Sequence, residues 1–305
     1  MVINMTYDLL LDVGGTGIKG SYFSVEENKI SKVYDFPSNS DKDKEAILRH
    51  FISLCGQIWD RIEREGKTIR SIRMAFPGPF DYNKGIPLVK GLAKYESLYG
   101  ISIPDEMITR GIMEKHSFLP GERKNFSFLN DVEAYARGVI HKRKLSEGFR
   151  VIYLCIGTGA GTAYSIDGRI STDLQEGIPE NGWAYPVPFG SSMIDDYISI
   201  RGINKLARKY CNGPLTPLEL SKMAMAGNSR AIEAYEEFGE NLNAAFLPLL
   251  RSFRANTFVI GGNISRSGSL FLSRLKAECE KQDIRIIIEE DTSELIMEGL
   301  TGLTE

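Results

Sequence analysis

Two glycine-rich turns and one Asn-Asp pair carry most of the chemistry available to this chain. The first turn is Asp12-Val13-Gly14-Gly15-Thr16-Gly17, with Lys19 just beyond it. The second is Gly157-Thr158-Gly159-Ala160-Gly161. Glycine lets a backbone approach a ligand closely, and consecutive N–H groups form a concavity that suits phosphate. Thr16 and Thr158 add hydroxyl donors. Asp12, closing the strand before the first turn, is placed to hold Mg²⁺ through water. Asn130-Asp131 contributes a carboxylate that can take a proton. An exposed Asp titrates near ~3.9, so Asp131 would be ionised and ready to act as a base on a hydroxyl. Asn-Asp is also a good helix N-cap, and the residues alone leave both readings open.

The elements around these residues favour phosphate over a dinucleotide. Tyr7–Val13 reads as a strand, Ser21–Val25 and Ile30–Phe36 as two more, joined by the polar loop 26–29. Gly15–Gly20 satisfies G-x-G-x-x-G, but a dinucleotide site needs a helix directly after the glycines, and a strand follows here. No G-x-x-x-x-G-K-[ST] is present. The spacing of Ile47, Phe51, Leu54, Ile58 and Ile62 predicts a helix over Asp41–Glu65, capped by Ser40 or Asp41. Thr68–Phe76 reads as a strand stopped by Pro77-Gly78-Pro79. Asn125–Leu129 reads as a strand into Asn130-Asp131, and Val132–Lys144 as a helix. Arg150–Ile156 and Thr162–Ile166 are strands flanking the second turn. Met193–Tyr210, Thr216–Ala226 and Ser229–Phe253 read as helices, Thr257–Ile260 as a strand ending at Gly261-Gly262, and Thr292–Leu303 as a last helix. Leu11–Gly17 echoes Leu154–Gly159: in each, a buried strand ends in a Gly/Thr turn. That predicts an α/β chain of two similar lobes, 1–129 (completed by 292–305) and 130–291.

Bulk properties narrow the function further. With 305 residues the chain is long enough for about two domains. A net charge of −3 and no basic stripe argue against nucleic acid as a partner. Cys55, Cys155, Cys211 and Cys279 form no Cys-x-x-Cys and read as thiols in a reducing compartment. No signal peptide and no apolar run of ~20 residues is apparent, so the expectation is a cytoplasmic protein without a membrane partner.

Taken together, five motifs resemble the ROK family of sugar kinases, within the actin/hexokinase/Hsp70 superfamily. Asp12–Lys19 and Ile156–Thr162 are similar to its two phosphate motifs. Phe76-Pro77-Gly78-Pro79-Phe80-Asp81 is similar to its Pro-Gly-Pro segment, Leu129–Ala134 to its catalytic Asn-Asp motif, and Ile260-Gly261-Gly262 to its adenosine motif. The resemblance runs nearly end to end. It implies a two-lobed actin-like (ribonuclease-H-like) ATPase fold, with nucleotide and sugar in the interlobe cleft. It also implies an ATP-dependent sugar kinase, glucokinase-like or an N-acetylhexosamine kinase, using Mg²⁺, with Asp131 as base. Gly14, Gly15, Thr16, Gly17, Lys19, Gly157, Thr158, Gly159, Gly261 and Gly262 would hold ATP. Gly78, Asn130, Asp131, Glu180, Trp183 and Asp195 would line the sugar. Lys19 is the weakest of these on its own residues, since a hairpin lysine is usually solvated.

The chain departs from the family at its zinc segment. Family members commonly carry Glu-x-Gly-His and then a Cys-x-Cys-Gly…Cys cluster. Here Glu180-Asn181-Gly182-Trp183 puts Trp where His would be, Met193 replaces the last cysteine, and Asp195 stands for a sugar-contacting Glu. Zinc needs about four N/S ligands, so no structural zinc is expected. Trp183 could instead wall the apolar face of a sugar ring. Some family members are repressors with an N-terminal helix-turn-helix. The first phosphate strand begins by Tyr7, which favours the kinase branch. The family often dimerises, so a homodimer is an expectation of the resemblance. The altered loop motivates an alternative: a non-catalytic sugar- or nucleotide-sensing protein on the same fold.

Overall fold

The computed structural model describes residues 5–63, 66–91, 94–211 and 213–302. In chain order the elements are β1 (Met5–Val13), β2 (Gly17–Ser24), β3 (Lys29–Ile30), β4 (Tyr34–Pro37), α1 (Lys44–Asp60), β5 (Lys67–Phe76), β6 (Phe80–Asp81), β7 (Ile86–Pro87), α2 (Ile103–Met113), β8 (Phe126–Asn130) and α3 (Asp131–Arg143). There follow β9 (Arg150–Ile156), β10 (Ala160–Ile166), β11 (Arg169–Ile170), β12 (Pro188–Phe189), β13 (Ser192–Met193), α4 (Ile194–Tyr197), α5 (Ile200–Cys211), α6 (Pro217–Met225), α7 (Ser229–Phe253), β14 (Thr257–Gly261), α8 (Ser273–Glu280), β15 (Arg285–Ile288) and α9 (Thr292–Thr301). The chain divides into two compact units, 1–142 with 293–305, and 143–292. The division falls at the last residue of α3 rather than before Asn130, since α3 packs on α9 within the first unit. Glu65 and Leu303, the expected ends of two helices, lie outside the described residues.

In the first unit the sheet order is β3-β2-β1-β5-β8, with β4 also on β2. β1 and β2 form an antiparallel hairpin, while β5 and β8 extend the sheet in parallel. The second unit repeats this plan: β11-β10-β9-β14-β15, an antiparallel hairpin β9–β10 and then parallel β14 and β15. The short Leu11–Gly17 echo thus marks a whole repeated topology. Each unit has its own apolar core. In the first, α1 buries Ile47, Phe51, Leu54 and Ile58 on its helical stripe. In the second, α7 does the same with Tyr235, Phe238, Leu242 and Phe246.

Two features tie α9 into the first unit. Gly138 of α3 lies against the Leu295 backbone, and Gly299 of α9 against the Ala134 carbonyl, so the helices touch backbone to backbone. Arg73 of β5, 1% exposed, donates from Nη1 to the carbonyls of Leu300 (2.9 Å) and Thr301 (2.8 Å) at the end of α9. A cation there also complements the helix dipole. The same guanidinium lies 2.7 Å from the buried Asp8, as an ion contact rather than a directed hydrogen bond. Asp8 in turn accepts from Arg70 Nε (2.8 Å) and Ser71 Oγ (2.7 Å). Among the described residues no helix is long and apolar enough to cross a membrane.

Candidate active site

Parallel pairing brings the chemistry of the first unit to one edge of its sheet. Asp12 pairs with Ala75, and Phe76 with Asn130, so the ends of β1, β5 and β8 lie side by side. Asp12 also pairs across the hairpin with Lys19. Asn130 is the helix cap: its Oδ1 accepts from the N–H groups of Val132 (3.0 Å) and Glu133 (3.2 Å). Its amide donates to the Tyr82 hydroxyl at 3.1 Å, which donates to the Phe76 carbonyl at 3.1 Å. Gly78 belongs to the same group, since a Cβ there would sit 3.3 Å from the Tyr82 hydroxyl. Capping by Asn130 leaves Asp131 a first-turn carboxylate that accepts from the Val132 N–H at 3.0 Å and is also favoured by its own backbone N–H.

Asp131 is not the exposed carboxylate of ordinary pKa that the sequence suggests. It is half-buried, and burial holds its carboxyl above the usual range. That makes it a stronger base once ionised. Asp12 is also raised, to about 7, by burial first and by the Asp131 charge second, with Lys19 pulling the other way. No protein donor reaches the Asp12 carboxylate among the described residues. Two neighbouring carboxylates, one without a hydrogen-bond donor, suit a hard divalent cation. Mg²⁺ is commonly held by one or two carboxylates together with substrate phosphates. Among the described residues no group of three or more His, Cys, Asp or Glu is placed to hold a metal alone. Lys19 is half-buried rather than solvated, and its ammonium is hydrogen-bonded to the Ser293 hydroxyl of α9.

The first turn is held from its carbonyl side. Gly14 N–H donates to the Gly17 carbonyl at 3.0 Å. The Tyr95 hydroxyl donates to the Gly14 carbonyl at 2.9 Å, and those of Ser38 (3.0 Å) and Ser40 (2.7 Å) to the Gly15 carbonyl. The N–H groups of Gly15 and Thr16 meet no protein acceptor among the described residues, and the Thr16 side chain is exposed. Gly14 therefore shapes the turn rather than offering its own N–H. A Cβ on Gly14 would come within 2.7 Å of the Gly17 carbonyl.

The second unit carries the counterpart. Gly157 N–H donates to the Gly159 carbonyl at 2.9 Å, and the Gly157 carbonyl accepts from Ile200 N–H at 2.9 Å. Thr158 is exposed, and the Thr158 and Gly159 N–H groups meet no protein acceptor among the described residues. Gly261 pairs with Cys155, which puts the Gly261-Gly262 step beside this turn. Gly262 has φ +90°, and a Cβ there would strike the Ile156 backbone, so only glycine fits. Asp195 braces the turn. Its Oδ1 accepts from Ala160 N–H at 2.7 Å, and Arg201 pairs with its carboxylate. Both oxygens are thus engaged by protein donors, whereas the sequence leaves them free for a sugar. Glu180 is exposed, and Trp183 is half-buried, tilted 35° against Tyr185 at 5.8 Å.

Sequence reasoning did not find Tyr95, Ser38, Ser40, Tyr82 or Arg201. None belongs to a motif; Tyr95, Ser38, Ser40 and Tyr82 act across 23 or more residues of sequence, and Arg201 acts on Asp195 six residues before it. Ser38 and Ser40 follow the end of β4, and Tyr82 directly follows the Pro-Gly-Pro segment.

Several known proteins are similar over most of this length. An N-acetyl-D-glucosamine kinase of Aliivibrio salmonicida (strain LFI1238) is 21% identical over 277 residues, covering 85% of this chain and 85% of that protein. A ROK family glucokinase from Streptomyces griseus, solved in complex with glucose and AMPPNP, superposes with a TM-score of 0.72 at 17% identity, covering 97% of this chain and 98% of that one. A ROK family transcriptional regulator, a homolog of the E. coli MLC protein, superposes with a TM-score of 0.71 at 14% identity, covering 97% of this chain and 79% of that one. The family model described as ROK family matches residues 9–293, and with the repeated α/β topology above, the chain belongs to the ROK family.

Proposed function

We propose that the protein is an ATP-dependent sugar kinase acting on a hexose or N-acetylhexosamine. The observation that carries the reading is the pair of half-buried carboxylates, Asp12 and Asp131, at one sheet edge beside a turn with unclaimed N–H groups. The kinase names of the relatives support the same class of substrate.

In this reading the sugar hydroxyl oxygen attacks the γ-phosphorus of ATP. A new O–P bond forms, the bond to the β–γ bridging oxygen breaks, and ADP leaves with that electron pair. The hydroxyl proton passes to the Asp131 carboxylate, whose raised proton affinity favours the transfer late in the step. Asn130 and Gly78 position the sugar beside Asp131. Gly15 and Thr16 donate N–H groups to phosphate oxygens. Asp12 would hold Mg²⁺, which when bound neutralises charge on those oxygens. Lys19 offsets the charge of Asp12, and its ammonium is oriented by Ser293. In the second unit Thr158 and Gly159 are assigned to phosphate, Gly261-Gly262 to adenosine, and Glu180 with Trp183 to the sugar. No structural zinc is included.

The test is Asp131→Ala, assayed with ATP, Mg²⁺ and a panel of hexoses and N-acetylhexosamines. Turnover should fall ~10²–10⁴-fold while ATP affinity stays near that of the unchanged protein. Near-normal turnover in a folded variant removes Asp131 from the role. The regulator's equally close fold favours one other reading, a non-catalytic sensor. Absence of sugar-dependent ADP release across the panel would support that reading.

A further inference from the structure

Lys94 lies between β7 and α2, outside every motif above, and its side chain crosses the first glycine turn. A Cβ added to Gly15 would fall 2.7 Å from Lys94 Nζ and 2.8 Å from its Cε. Glycine at position 15 therefore does more than free the backbone: it leaves the space that Lys94 fills. The placement is anchored by the next residue. Tyr95 is 1% exposed, has φ +56°, donates its N–H to the Ser40 carbonyl at 2.7 Å and its hydroxyl to the Gly14 carbonyl at 2.9 Å.

Lys94 is a half-buried residue, and its ammonium has no carboxylate or carbonyl partner among the described residues. The Gly14 and Gly15 carbonyls of the turn already accept from Tyr95, Ser38 and Ser40. Asp12, the acid of this edge, is faced by Lys19. Among the described residues, a half-buried lysine without a counter-ion thus sits over a turn whose Gly15 and Thr16 N–H groups also lack acceptors. Every unsatisfied group there is a donor, so an anion completes the site. Lysine suits phosphate as a compact point charge on a long stem.

We propose that Lys94 is a phosphate-binding residue that closes over the first turn and, with the Gly15 and Thr16 N–H groups, holds the nucleotide polyphosphate. The inference rests on the ATP reading above and adds to it a residue that no motif marks.

Titration calorimetry on the full chain with Mg²⁺, using ATP, ADP and adenosine, tests it. Lys94→Met keeps the methylene packing on Gly15 and removes the charge. It should weaken ATP about 10–100-fold, flatten the salt dependence of binding and leave adenosine unchanged. Lys94→Arg should recover most of the affinity, and Lys94→Gln replaces the Met variant if that one unfolds. ATP affinity within about twofold of wild type in a folded, uncharged variant would reduce Lys94 to a packing role and leave the kinase reading standing. Failure of the unaltered protein to bind ATP would overturn that reading and this inference with it.

Discussion

Replacing Asp12 by Asn should stabilise the ligand-free protein near neutral pH while disabling it. The Asp12 carboxyl is raised from 3.8 to about 7, chiefly by burial and next by Asp131. A raised acid pKa means that the folded state holds a proton which the unfolded state has released. Stability is therefore undiminished below the unfolded value. It declines as pH rises between the two values and stays low above the folded one. Going from 3.8 to about 7, at ~1.36 kcal/mol per tenfold change in proton affinity, sets a ceiling of ~4 kcal/mol. Water reaching the half-buried carboxylate lowers that, and ~2 kcal/mol is the expected penalty. Asparagine carries no charge at any pH, so the variant escapes it. Urea unfolding without nucleotide or Mg²⁺ should give closely similar midpoints near pH 4 and a variant advantage that grows to a plateau above about pH 7. Mg²⁺ should then stabilise the unaltered protein near pH 8 and leave the Asn variant unmoved, because the cation relieves what the substitution has removed. An advantage that does not change with pH would refute the reasoning, whatever its size.

Asp195→Asn separates bracing of the second turn from sugar contact. If Asp195 acts through Ala160 and Arg201, as its hydrogen bonds indicate, the variant weakens ATP more than sugar. A rise confined to the sugar KM would return Asp195 to the pocket. Gly138→Ala and Gly299→Ala should each destabilise the chain despite a helix-propensity gain of ~1 kcal/mol, because the new Cβ meets backbone that cannot rotate away. The overpacking cost of ~1–3 kcal/mol or more decides the sign. The double variant should cost less than the sum, since one separation of α3 from α9 makes room for both methyls. Denaturant midpoints read all three.

Periodic and capped segments were legible in the sequence. Arg150–Ile156 and Ser229–Phe253 are a strand and a helix with the expected bounds, the helix opened by Asn228 capping Ala231 N–H at 3.1 Å. The segment Met193–Tyr210 reads as one helix but breaks at Ile198-Ser199. The reason is non-local: Ile200 gives its N–H to the Gly157 carbonyl instead of the turn before it. Helix α1 starts late for a related reason. Ser40, a good cap by type, spends its hydroxyl on the Gly15 carbonyl, and Asp43 caps instead, accepting from Ala46 N–H at 2.8 Å.

These departures share one physical origin. Motifs report the side of a turn that meets a ligand, because glycine and threonine are needed where phosphate would approach. They do not report the side that faces the protein. There the first turn is held by Tyr95, Ser38 and Ser40, and the second by Ile200 and Asp195. Any of several residue types could hold a carbonyl, so no spacing betrays these partners. They fix the turn before any ligand arrives, so that the N–H groups need little further ordering to bind one. Loss of the Tyr95 hydroxyl would free the Gly14 carbonyl and let the turn relax. The legible half of each turn therefore names a ligand class, and the illegible half prepares the turn to bind it.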